Sequence, residues 1–374
     1  MNHKKIAEDK TLKDTVEIVR LASNAKGITD ISVGQPDFKP PRGILKQGYE
    51  GYGPVGGYKE LRELIAKKFG KENKIKTSAE NIIVTTGSLE GIILCLLSVA
   101  DNKNEVLVPN PGFITYDDAV LLTGAKPVYY NFTKDCRIDI KSIKRKITKK
   151  TKAIILNSPG NPMGNVFSRK ELKELVKVLK SKKIYVISDE VYEKYTYGKP
   201  HISIGEFEEI KDKVITVNSF SKTYGIPGWR IGYMNVPISL VGTIKNIKIS
   251  TSICAPTISQ MAAVRLLKGK DSFIRKNIIV FKRRRREMIK MLDRMNVNYA
   301  VLEGSFYVWL DLRYLKKKSM KIFKELLERG LMVMPGNIFG KNGEGYIRLS
   351  YAKDMKAIRK GMKILGKYLP RKAL

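Results

Sequence analysis

The chain has 374 residues, 43% of them hydrophobic, and 71 Lys and Arg against 36 Asp and Glu, for a formal net charge of +35. That length fits two packed domains or one large one, no apolar run reaches the about 18 residues of a membrane span, and the mixed polar N-terminus reads as no secretory leader. Three scattered cysteines (Cys95, Cys136, Cys254) and two histidines argue against a disulfide framework or a zinc site and for a reducing cytoplasm.

In chain order, the first glycine cluster is Gly51-x-Gly53-x-x-Gly56. Its spacing is that of a dinucleotide loop, but the residues before it (Pro40, Pro41, Arg42, Gly43) cannot form the apolar strand such a loop follows. A helix is expected over Tyr58–Gly70. Strands are expected over Ile82–Thr86, Glu105–Pro109, Lys126–Phe132, Ala153–Asn157, Ile184–Asp189, Val214–Asn218 and Ile231–Asn235. Most are near-continuous apolar runs, as strands covered on both faces should be. Helical patterns lie between most of them, Ser88–Ala100 among them. Ser168 with Glu171 forms a capping box ahead of the apolar stripe Leu172, Leu175, Val176 and Leu179. This alternation predicts an α/β fold with a three-layer large domain around a seven-stranded, mostly parallel sheet. From about Ala255 the pattern changes. Two helical stretches run to about Met295. Short strands are expected over Tyr299–Glu303, Phe306–Leu312, Leu331–Met334 and Tyr346–Tyr351, and a last helix over Met355–Tyr368. This part predicts a smaller α+β domain.

The basic excess peaks in Lys141–Lys152, with seven basic residues, and in Arg283–Arg286. Neither run is interleaved with the aromatic platform of a single-strand binder. Both are expected to be solvated surface that attracts nucleic acid only non-specifically.

The segment richest in chemistry is Ser219-Phe-Ser221-Lys222-Thr-Tyr-Gly-Ile-Pro-Gly228-Trp-Arg230-Ile-Gly232, directly after a predicted strand. Ligands of α/β sheets sit at such strand ends. Hydroxyls and a guanidinium suit a phosphate, and a lysine beside another cation can form a Schiff base. A phosphate and an imine on one molecule point to pyridoxal phosphate.

This segment resembles the lysine signature of fold-type I pyridoxal-phosphate enzymes, specifically the class I/II aminotransferases of the aspartate aminotransferase family. The family pattern Ser-x-Ser-Lys, five residues, Gly-x-Arg-x-Gly is matched completely. Further segments carry the likeness in the expected order, over about Ile31–Ala352. They are Val33-Gly34-Gln-Pro-Asp37, Tyr52, Thr86-Gly-Ser88-Leu89-Glu-Gly, Pro111-Gly-Phe113-Ile-Thr-Tyr116, Asn157-Ser-Pro-Gly-Asn161-Pro-Met-Gly, Asp189-Glu-Val-Tyr192 and Tyr346-Ile-Arg348.

The resemblance implies a division into an N-terminal arm (residues 1–34), a large cofactor domain (35–265) and a small domain (266–374). It implies Lys222 as the cofactor-bearing lysine and Asp189 as the partner of the pyridine nitrogen. Asn161 and Tyr192 would face the phenolic oxygen, and Phe113 would stack on the ring. Ser88, Leu89, Ser219, Ser221 and Arg230 would hold the phosphate, with Tyr52 reaching it from the neighbouring subunit of a homodimer. Gly34, Asn161 and Arg348 would meet the substrate carboxylate. Cis peptide bonds are implied before Pro159 and Pro162. The implied activity is ping-pong transfer of an amino group between an L-amino acid and a 2-oxo acid, aspartate with 2-oxoglutarate first and aromatic donors second.

Three departures stand out. Asp37 and Tyr52 are closer in sequence than the family pattern implies, so an entrance helix is expected to be short. Met163 stands where Thr is usual. Leu89 stands where some acid-selective relatives carry a lysine. Carbon–sulfur lyases, α-decarboxylases and cyclopropane-forming synthases can share the Lys, Asp and Arg anchors, and the sequence leaves that choice open. The alternative from another class is a cofactor-binding regulator or a nucleic-acid-binding protein.

Overall fold

The computed structural model describes residues 14–15, 17–18, 20–21, 27–41, 43, 51–300 and 302–370. After a two-residue strand β1 (Thr29–Asp30), seven strands build the main sheet. They are β2 (Ile82–Thr85), β3 (Glu105–Asn110), β4 (Lys126–Asn131), β5 (Thr151–Asn157), β6 (Tyr185–Asp189), β7 (Val214–Ser219) and β8 (Gly232–Asn235). Their spatial order is β2-β8-β7-β6-β5-β3-β4. Strand β8 runs antiparallel to both neighbours, and the other pairs are parallel.

Alternation along each strand feeds two cores. On β5, Ala153 and Ile155 join a core with α2 (Gly87–Val99), α3 (Tyr116–Leu122) and α7 (Ile238–Thr251). Ile154 and Leu156 point to the opposite core, closed by α4 (Ile140–Lys146) and α5 (Arg169–Leu179). Burial on both faces is why these strands read as unbroken apolar runs. The expected capping box is present: Ser168 Oγ accepts from Glu171 N, and the Glu171 carboxylate accepts from Ser168 N at 2.8 Å. At the β2 edge, α1 (Lys59–Lys68) and α8 (Thr257–Lys268) pack with Phe220, Ile231 and Tyr233.

The smaller domain has its own core. It contains α9 (Ser272–Arg294), α10 (Ser319–Glu328), α11 (Met355–Tyr368) and a three-stranded antiparallel sheet, β11-β12-β9. Here β9 is Tyr307–Asp311, β11 is Met334–Pro335 and β12 is Tyr346–Ser350. Strand β10 (Leu331–Met332) pairs in parallel with β1.

Three expectations are corrected. The described residues of Tyr299–Glu303 form no strand; Tyr299 makes one bridge to Leu310. Its end is pulled away, because Glu303 N and Gly304 N both donate to the Gly164 carbonyl and Ser305 N donates to Tyr195. The expected strand Leu331–Met334 divides at Val333 into β10 and β11, which serve different sheets. The run Arg283–Arg286 is not wholly solvated. Arg284 is buried and grips the Asp37 carboxylate with two bonds of 2.7 Å, and Arg285 Nε donates to the Leu302 carbonyl. The short entrance segment 38–51 lies largely outside the described residues. Gly51, Gly53 and Gly56 precede α1, and the residues just before Gly51, where a dinucleotide loop would need its strand, lie outside the described ones.

Candidate active site

The carboxyl ends of β5, β6 and β7 deliver Asn157, Asp189 and Ser219 to one edge of the sheet, where parallel α/β sheets take their ligands. A cavity of about 380 Å³ opens there. Of the residues singled out in the sequence, Gly34, Ser88, Leu89, Phe113, Asn161, Asp189, Tyr192, Ser219, Ser221, Lys222, Arg230 and Arg348 all line it. Tyr52 does not; it is 85% exposed.

Lys222 sits on the single turn α6 (Phe220–Thr223) that follows β7. The Ser219 side chain caps that turn by accepting from Ser221 N, and Ser219 Oγ lies 2.8 Å from Ser221 Oγ. The amine of Lys222 donates to the Gly34 carbonyl at 2.8 Å. Burial first, then the Arg348 charge, pull its pKa down to about 8, with Asp189 opposing and Arg230 assisting. A side chain that is normally a fixed cation therefore offers a growing fraction of neutral, nucleophilic amine as pH passes from neutral toward about 8.

Asp189 is buried, and its Oδ2 accepts from the Tyr116 hydroxyl at 2.7 Å. Burial pushes its carboxyl up to about 6, against the lowering effect of the bonds from Tyr116 and Val191 N. Asn157 braces the neighbouring loop. Its Nδ2 donates to the Asp189 carbonyl and its Oδ1 accepts from Asn161 N. The peptide bonds before Pro159 and Pro162 are cis, as is the one before Pro111.

Arg348 comes from the smaller domain, on β12. Its guanidinium donates to Asn161 Oδ1 and to the Ser32 carbonyl, each at 2.8 Å, and lies 4.2 Å from the Tyr307 ring centroid. Its Nε is buried with no partner. The Tyr307 hydroxyl pairs with that of Tyr192 at 2.9 Å and occupies the space a Cβ on Gly34 would need. Burial holds the Tyr192 hydroxyl well above its usual range, and so protonated.

The remaining wall is the N-terminus of α2, where backbone N–H groups and the helix dipole suit an anion. Gly87 opens it at φ +79°, and a Cβ there would collide with the Arg230 guanidinium. Arg230 itself has φ +52° and reaches the Thr86 carbonyl at 3.4 Å. One face of the cavity thus offers an anion cradle, the opposite end a guanidinium, and the floor an amine and a carboxylate.

Tyr116 and Tyr307 are cavity residues that the sequence reading missed. Tyr116 stands in a segment already singled out, so its position was available. Tyr307 reads as one more apolar strand residue.

The family model for aminotransferase class I and II matches residues 27–365. The chain is 34% identical to an aspartate aminotransferase of Pyrococcus abyssi, over 95% of this chain and 95% of that protein. It is 33% identical to aromatic-amino-acid aminotransferase 2 of Thermococcus litoralis, with the same coverage of each. A solved double mutant of Thermus thermophilus aspartate aminotransferase superposes with a TM-score of 0.89 at 27% identity, covering 99% of this chain and 100% of that one.

Proposed function

The chain belongs to the class I and II aminotransferases, and on that footing we propose that it uses pyridoxal 5′-phosphate to move an amino group between an L-amino acid and a 2-oxo acid. The observation that carries this is the convergence of the Lys222 amine, the Asp189 carboxylate and the Arg348 guanidinium on one cavity from three separate elements.

The residues fit the cofactor. A phosphate needs the side-chain-free approach that Gly87 leaves beside Arg230, together with the first N–H groups of α2. When bound, pyridoxal phosphate supplies the electron sink that stabilises negative charge at the substrate α-carbon. Ser88 and Leu89 through their backbone, with Ser219, Ser221 and Arg230, would hold the phosphate. Phe113 would cover the ring, Asp189 would keep the ring nitrogen protonated, and Asn161 and Tyr192 would face the phenolic oxygen. Arg348 fixes the substrate carboxylate by a two-pronged contact that lysine could not reproduce, with Gly34 and Asn161 beside it. The Lys222 amine would take the proton from the substrate α-carbon as a base and, as an acid, give it up on the cofactor side rather than back to the α-carbon. The same reading assigns residues 1–34 and 266–374 to the domain that carries Arg348, and 35–265 to the cofactor domain. It makes the working unit a cytoplasmic homodimer in which Tyr52, exposed on its own protomer, completes the neighbour's phosphate site.

Aspartate with 2-oxoglutarate is the first substrate pair, supported by the relatives named for aspartate. A second reading, aromatic donors, is favoured by the apolar wall of Leu89, Ile114, Met334 and Phe339, which among the described residues carries no cation for a side-chain carboxylate.

The test is the visible spectrum of the purified, cofactor-loaded protein as single amino acids are added. The absorption of lysine-bound cofactor should disappear with the true donor and return with a 2-oxo acid, and the donor that acts fastest names the substrate. Release of ammonia or carbon dioxide instead would replace transamination by a lyase or decarboxylase reaction. Lys222→Ala should lose turnover to background while still taking up cofactor non-covalently. Full turnover in that variant would refute the assignment.

A further inference from the structure

The turn that opens α2 is held from behind by two residues that do not line the cavity. Glu90, in the first turn of α2, accepts the Thr86 N–H on its Oε2. Its carboxylate is gripped by Lys248 of α7, whose ammonium lies 2.9 and 3.1 Å from the two oxygens and 2.8 Å from Ser252 Oγ. Lys248 is fully buried, in a chain where most lysines are exposed, and the Glu90 side chain is only 14% exposed. The residue whose N–H Glu90 fixes presents its carbonyl, one peptide further on, to Arg230. Thr86 supplies no side-chain cap to the first N–H groups of α2; Glu90 instead fixes the N–H of Thr86 itself.

A carboxylate in that position has two opposing effects. It orients the turn, but its negative charge faces the end of the helix where an anion is to bind. One buried ammonium removes the second effect and keeps the first. We propose that Lys248, acting through Glu90, is a positioning residue for the phosphate cradle: it neutralises the carboxylate that shapes the Thr86–Gly87 turn, so that the turn can receive a doubly charged phosphate. This rests on the cofactor reading above.

The proposal predicts signed effects on cofactor binding, measured as the dissociation constant of pyridoxal phosphate from the cofactor-free full chain by absorbance titration, with inorganic phosphate as competitor. Lys248→Met should weaken binding of both by about ten-fold, the effect of one uncompensated charge at a protein's effective dielectric. Glu90→Gln, whose amide oxygen still accepts the Thr86 N–H, should bind phosphate as tightly as the native chain or more so. The double variant should recover most of what Lys248→Met loses, and Lys248→Arg should stay near native. A purely structural pair would instead lose affinity in every variant in step with thermal stability. Native-like binding by a folded Lys248→Met, or no recovery in the double variant, overturns the proposal. If Lys248→Met does not fold, Glu90→Gln decides: weaker phosphate binding refutes it, equal or tighter binding supports it. A native chain that takes up no pyridoxal phosphate at all would instead sink the cofactor reading.

Discussion

Lys222 is one of 71 basic residues, and its neighbours make it different. Burial and the Arg348 charge bring its amine down to about 8. In the cofactor-free protein, the rate of pyridoxal phosphate capture should therefore rise with pH and level off above about 8, because only the neutral amine attacks. Replacing Arg348 by Gln removes one of the two cations that hold the pKa down and should move that midpoint upward, toward the ordinary lysine range; stopped-flow capture rates across pH 6–10 would show it. A midpoint unmoved by the substitution would mean that Arg348 does not set the value. Lys222, Asp189, Asn161 and Arg348 were legible because each sits in a short segment whose spacing carries the family likeness. Tyr116, Tyr307, Glu90 and Lys248 were not singled out for roles, because their significance lies in a partner far away in sequence: Asp189 for Tyr116, Tyr192 for Tyr307, and α7 against α2 for the buried pair.

The elements of the main sheet were read nearly to their ends, because strands sealed on both faces are long apolar runs with little ambiguity. The smaller domain was harder. Its strands are two to five residues long, and in Tyr299–Glu303 Ala300 N reaches Trp309 of β9 but Glu303 N turns to Gly164. Nothing local in the sequence foretells such a tertiary bond. The α5 capping box is the opposite case, visible in Ser168 and Glu171 alone and found as read. Ser168→Ala should cost about 1 kcal/mol of stability, seen as a lower urea midpoint. Turnover should be unchanged, since the stripe Leu172, Leu175, Val176 and Leu179 packs against the sheet face opposite α2. A loss of activity without a loss of stability would show that α5 communicates with the cavity.

At the scale of the whole molecule, the exposed Tyr52 and the proposed dimer can be tested together. Mixing unfolded Lys222→Ala with Tyr52→Ala chains and refolding them should create hybrid dimers with one intact site each. Their activity should exceed the mean of the two parents; a mixture that stays at that mean would argue that each chain completes its own site. The +35 charge is less uniform a coat than its size suggests, since Arg284 and Arg285 are drawn inward from their basic run. The grip of Arg284 on Asp37 ties α9 to the segment that carries Gly34 over the Lys222 amine. Through evolution the two positions are therefore bound to a common fate. A lineage that discards the arginine strands an acid beside the entrance, and one that discards the acid strands a buried cation, so Asp37 and Arg284 should be inherited or replaced as a couple while Arg283 and Arg286 drift.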